Sequence, residues 1–136
     1  MSLISDLMAA PQKSTAPSRY TTFCGIFYMA NGLLILAWPG VVQTLFRDEA
    51  FVGNESMLFR VIGMLLTIVG WFYFFGGRTG SRSFVVSTVI DRIILVPAVL
   101  IPVALAGVFP HVLLTFGILD PILGFIGWYL LASDKS

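Results

Sequence analysis

The stretch FVVSTVIDRIILVPAVLIPVAL, residues 84–105, decides the fold. It has the length of a bilayer-spanning helix, about 20 residues, yet an adjacent acid and base, Asp91 and Arg92, sit inside it. Ionisable side chains within hydrocarbon are expensive, so they face a protein interior or a wet cavity rather than lipid. The stretch therefore needs other helices around it, and three further apolar segments supply them.

Composition excludes the soluble alternatives. The chain has 136 residues, of which 57% are hydrophobic and 11% charged, and its mean hydropathy is +0.93. Soluble domains carry about 25% charged residues, more than twice this share. The length fits one domain. Net charge is +1 with no basic face interleaved with aromatics, so no nucleic-acid partner is expected. Cys24 is the sole cysteine, which rules out an intrachain disulfide. Its apolar surroundings read as those of a buried structural thiol.

Residues 1–19 form a cytoplasmic N-terminal segment in this reading. Leu3, Ile4, Leu7 and Met8 line one side of a short helix that Pro11 ends, which fits either an interfacial helix or a disordered tail. The transmembrane domain covers 20–132, with spans at 20–38, 57–75, 84–105 and 112–131, and residues 133–136 are a tail. The first span exceeds a signal-peptide apolar region of about 7–15 residues and ends in LAWPG, not an A-x-A-like site. Cys24, Tyr28, Asn31, Ile35 and Trp38 share one of its faces. In the second span Gly63, Thr67 and Gly70 form a small-residue seam suited to close helix packing. Gly117 and Gly124 do the same in the fourth, on the face that carries Asp120 and Gly127.

Basic residues set the orientation. An even number of spans puts Lys13, Arg19, Arg78, Arg82 and Lys135 on one side, and Arg47 on the other with Arg60 at the start of a span. Positive charge accumulates in cytoplasmic loops. The expected architecture is an all-α, integral membrane four-helix bundle, antiparallel up-down, N-in/C-in. Arg78 and Arg82 lie in a glycine-rich turn (GGRTGSR, 76–82) that lacks the phosphate-loop pattern, and are expected at the headgroups. Arg60 is expected to snorkel toward Glu55 or Glu49.

Depth brings four polar residues to one layer. At a rise of 1.5 Å per residue, Asp91 and Arg92 lie ~12 and ~13 Å from the cytoplasmic boundary, Asp120 ~14 Å and Asn31 ~16 Å. The simplest pairing joins Arg92 directly to Asp120 on the neighbouring helix. Asp91 points about 100° away from Arg92, so it needs another partner: Asn31, a hydroxyl of Thr88 or Ser87, or water. This layer of Asn31, Asp91, Arg92 and Asp120 is the candidate ligand site, and structural polar glue is the competing account. His111, beside Pro110 at the outer interface, is an interfacial side chain, since one histidine makes no metal or haem site alone. No Ser-His-Asp or Cys-His arrangement occurs at matched depths, so no catalytic residue, metal or cofactor is expected.

The run FRVIGMLLTIVGWFYFFGGR (59–78), then Asp91–Arg92 in the next span and GILD (117–120) in the last, resembles small four-helix bacterial membrane proteins of the DoxX-like kind. The resemblance covers 59–131. It implies a four-helix bundle in a bacterial inner membrane. Some members of that group are quinone-linked subunits of thiosulfate oxidation, but this chain has no cysteine pair or haem ligands for such chemistry.

Two functions follow as expectations. Small size, short loops and missing catalytic groups favour a non-enzymatic accessory or assembly subunit of a membrane complex, with the bilayer and other membrane subunits or further copies as partners. The aromatic run 71–75 would then supply a partner-facing surface or an interfacial belt. The alternative is a small-molecule binder for a lipid or quinone, or a proton-coupled carrier, using the Arg/Asp layer.

Overall fold

The computed structural model describes residues 3–9 and 14–134. Pro11, Lys13 and Lys135, used above for the N-terminal segment and the orientation, lie outside the described residues. The elements are α1 (Leu3–Leu7), α2 (Ala16–Ala37), α3 (Val41–Thr44), α4 (Glu55–Arg78), α5 (Arg82–Ile90), a π-helical segment (Asp91–Leu95), α6 (Val96–Leu105) and α7 (Pro110–Ser133). α5, the π segment and α6 run on as one rod, Arg82–Leu105, which with α2, α4 and α7 makes four helices long and apolar enough to cross a membrane. Each helix begins two to four residues before the apolar run read from sequence, in its flanking residues. At α2, Thr15 Oγ1 accepts from the Ser18 amide while Ser18 Oγ accepts from the Thr15 amide, with Pro17 in the first turn.

Burial is inverted relative to a water-soluble bundle. Phe23, Leu33, Phe72, Ile94 and Tyr129 point outward, whereas Thr21, Thr88, Arg92 and Asp120 are buried. A monomeric soluble protein rarely exposes so continuous an apolar surface. The surface is made for lipid.

Two pairs of helices build the bundle: α2 with α4, and the broken third span with α7. The first pair is a glycine zipper. Gly25 lies against Gly70, Gly32 against Gly63, and Gly77 against Ser18 and Thr22, so contacts descend one helix as they climb the other. Both sides repeat every seven residues, at 18, 25 and 32 and at 63, 70 and 77. Lipid gives apolar helices no drive to associate, so close backbone approach at small residues supplies the contact. A Cβ on Gly70 would sit 2.5 Å from the Met29 nitrogen and 2.6 Å from the Gly25 oxygen. Thr67 packs over Gly32 and turns its hydroxyl back to the Gly63 carbonyl at 2.7 Å. In the second pair Gly117 faces Leu100 and Ile101, and Gly124 faces Ile93 and the Arg92 Cβ.

The π segment arises at a proline. Pro97 has no amide hydrogen to donate one turn back, and upstream of it the Val96 amide reaches Asp91 O, one residue further than in an α-helix. Such wide turns cluster at functional sites. Here it begins on Asp91.

The 38–54 connection closes one end. Val41 and Val42 are buried with Ile35, Phe59 and Val112, and Phe46, Phe51, Phe109 and Phe116 pack around them. Phe109 precedes α7 in a left-handed conformation without a side-chain cap. The cap comes instead from Asp48, whose buried carboxylate accepts the His111 and Val112 amides, each at 2.9 Å. His111 Nδ1 also lies 3.2 Å from that carboxylate. The His111 side chain is exposed, and its Nδ1 also lies 3.2 Å from the Arg47 carbonyl of the same loop. Asp48→Ala is expected to lower unfolding stability by about 1–2 kcal/mol, since two helix-terminal donors lose their acceptor. Thermal unfolding in mild detergent reads this directly, and an unchanged midpoint would show the cap to be dispensable.

Candidate functional site

The polar layer is held by tyrosines. Tyr28 of α2 donates its hydroxyl to Asp120 Oδ1 at 2.9 Å, and Tyr73 of α4 donates to Asp91 Oδ2 at 2.8 Å. The two rings meet edge to face with centroids 5.3 Å apart. Both lie in a buried cluster with Cys24. The pair of the third span and α7 thus contributes both acids, and the α2–α4 pair both phenols.

Arg92 sits behind this cluster and is 1% exposed. Its Nε donates to the Thr88 carbonyl at 3.2 Å and its Nη2 to the Thr88 hydroxyl at 3.4 Å. The guanidinium lies 5.7 Å from the Tyr20 ring centroid and 5.4 Å from that of Tyr73. Aromatic faces attract a cation, and more strongly where water is excluded. Nη1 has no hydrogen-bond partner. Gly127 provides room, since a Cβ there would lie 3.4 Å from Arg92 Nη2. Tyr20 is anchored separately, its hydroxyl donating to the Leu123 carbonyl at 2.8 Å.

Several sequence expectations are corrected here. Arg92 and Asp120 form no ion pair; among the described residues Arg82 pairs with Asp134 at 3.7 Å. The carboxylate's near partner is Tyr28, because aromatic hydroxyls on α2 and α4 reach the acids while Thr88 and two rings engage the guanidinium. Asp91 is met by Tyr73, not by Asn31, Ser87 or Thr88. Asn31 leaves the layer, its amide donating to the Phe27 carbonyl of its own helix at 2.8 Å. Trp38, placed on the same face as Cys24 and Tyr28, is exposed. Arg60 turns to the Leu36 carbonyl at 2.9 Å instead of to Glu55 or Glu49. Arg82 bonds the Leu131 carbonyl at 3.1 Å, and Arg78 lies over the rings of Phe74 and Phe75.

The tyrosines were the residues missed. Tyr20 lies one turn before Cys24 and two before Tyr28, so the face was visible in sequence although its role was not. Tyr73 was absorbed into the aromatic run 71–75. Its signal was position: it lies three residues after Gly70, on the side turned inward.

A cavity of about 400 Å³ opens beside the two carboxylates. Its walls are aliphatic and aromatic side chains of α4, α6 and α7, among them Leu66, Leu113 and Phe116. The polar residues that line it are Tyr28, Tyr73, Asp91 and Asp120. α4 packs on α2 and the third span on α7, which leaves a gap between α4 and α6. Leu95 and Val99, at 60% and 59% exposure, form the lip with Ile62 and Leu65 of α4. The mouth therefore opens sideways through the apolar belt. Among the described residues no group of three or more His, Cys, Asp or Glu side chains is placed to hold a metal ion. In comparisons with known proteins no family model, curated protein or solved structure matches this chain, so the functional reading rests on the geometry of this cavity.

Proposed function

We propose that the protein binds a small amphipathic molecule drawn from the bilayer. The observation that carries this is the cavity: apolar along its length, polar at one end, and open through the lipid-facing surface. Ligand pockets combine a mostly apolar lining with a few placed polar groups in this way. The protein sits in the membrane as an antiparallel up-down bundle with both termini cytoplasmic, and the address is a bacterial inner membrane. The basic bias of the loops supports the orientation, and the DoxX-like resemblance over 59–131 supports the address.

Native mass spectrometry from mild detergent tests the binding reading. Wild-type protein is expected to retain a small-molecule adduct that Val99→Trp, which obstructs the mouth, removes. Identical spectra without an adduct would defeat it. The reading as an accessory subunit is favoured by the exposed rings of Trp71 and Phe72, and stoichiometric large subunits in the same spectrum would select it.

Orientation has its own test. Cysteines at Gly53 and Thr79, in a Cys24→Ser background, are expected to label from opposite faces of the membrane. Labelling of both from one side would overturn the topology.

A further inference from the structure

We infer that the ligand is a lipophilic organic monocation, such as a protonated hydrophobic amine; this rests on the cavity being the binding site. The polar end of the cavity presents acceptors. Asp91 Oδ2 and Asp120 Oδ1 are taken by the tyrosine hydroxyls, whereas Asp91 Oδ1 and Asp120 Oδ2 accept no hydrogen bond from the described residues. Neither oxygen is sealed off, since among the described residues Arg92 Nη1 is the sole fully buried polar side-chain atom without a partner. Asp120 is 8% exposed, and what remains accessible belongs to a residue lining the cavity. A carboxylate oxygen held in an apolar chamber is costly unless a donor or a positive charge meets it; otherwise the acid takes a proton, which a bound cation would displace.

The protein's own cation does not fill that role. Arg92 is absent from the cavity lining and makes no ion pair with either acid. Its Nε and Nη2 donate to Thr88, and its guanidinium lies by the faces of Tyr20 and Tyr73. With both carboxylates ionised, the layer carries two negative charges against one positive. One further positive charge balances it, so a monocation fits and an anion is repelled. Tyr28 and Tyr73 also line the cavity, and Phe59 and Phe116 stand along its wall. Aromatic side chains add attraction for an organic cation. An ammonium group can donate to a free carboxylate oxygen while its hydrocarbon fills the apolar chamber. Entry between α4 and α6 suits a molecule already dissolved in the bilayer.

The test uses three probes of one shape: 1-adamantylamine, 1-adamantanol and 1-adamantanecarboxylate. Binding to the full chain in nanodiscs at neutral pH is measured by intrinsic fluorescence and by calorimetry. The amine is expected to bind at least tenfold more tightly than the alcohol, with no saturable binding of the carboxylate. Asp120→Asn and Asp91→Asn keep an acceptor for each tyrosine and are expected to reduce the amine's advantage to less than threefold. The wild-type comparison alone decides the matter if a variant folds poorly. Equal affinity for amine and alcohol, both lost in Val99→Trp, would overturn the cation while leaving the cavity as a binding site. Tighter binding of the carboxylate would do the same. Absence of saturable binding by all three, in protein without a retained adduct, would overturn both.

Discussion

Gly70→Leu is expected to abolish folding of the bundle. The added side chain would meet backbone, not the flexible end of a neighbour: Met29 N and Gly25 O both lie within 2.6 Å of where its Cβ must go. Inserting extra methylenes into a packed core costs about 1–3 kcal/mol when side chains can shift. Here α2 and α4 must separate, and the whole seam from Gly77 to Gly63 separates with them. Gly70→Ala already places a Cβ in that space, so it should fold with a clearly lowered midpoint, and Gly25→Leu should match Gly70→Leu. The readout is recovery of a monodisperse peak in mild detergent, followed by thermal unfolding. Met64→Leu, on the outward face of α4, serves as the control and should change neither. A Gly70→Leu protein with wild-type recovery and midpoint would show that α2 and α4 do not rely on this contact.

Breaking the phenol–carboxylate pair should produce the next largest effect. Asp120→Ala leaves the buried Tyr28 hydroxyl without its acceptor, a loss of about 1–3 kcal/mol for an unsatisfied buried group. Tyr28→Phe removes the donor and should cost less, because the carboxylate still reaches the cavity. The double variant is expected to be more stable than the two single losses added, by about 1–2 kcal/mol, near the upper end for hydrogen bonds between helices in membranes. A second cycle, Arg92→Met with Asp120→Ala, should give a smaller coupling, since those residues share no direct contact. The reverse ranking of the two cycles would mean that Arg92 and Asp120 pair directly. The same variants bear on binding, because Tyr28→Phe frees an Asp120 oxygen while leaving its charge. It should therefore leave amine binding within about threefold of wild type even as stability falls.

The membrane helices were legible because hydropathy is a local property. The run at 84–105 and its three companions needed only length, apolar content and proline or glycine at the ends. The seam at Gly63, Thr67 and Gly70 was legible for a related reason: residue spacing on a helix fixes which side chains share a face. Its partner seam at Gly25 and Gly32 was equally present in the sequence. It was overlooked because two glycines seven apart in an apolar run carry no signal until a second helix lies against them.

By itself the sequence determined that four apolar helices exist, that small residues allow them to approach closely, and that Asp91, Arg92 and Asp120 must face inward. Only the tertiary structure decided which groups meet. Depth along a helix placed Arg92 and Asp120 at one level, but pairing also depends on rotation about each axis and on what a third helix inserts. The π turn at Asp91 alters that rotation, and Tyr28 lies 92 residues from its partner Asp120 while Tyr73 comes from the preceding helix. The acids are therefore bound by phenols, the guanidinium lies between rings, and the cavity opens where α4 and α6 fail to meet. A gap between helices is a property of their packing, and no single helix encodes it.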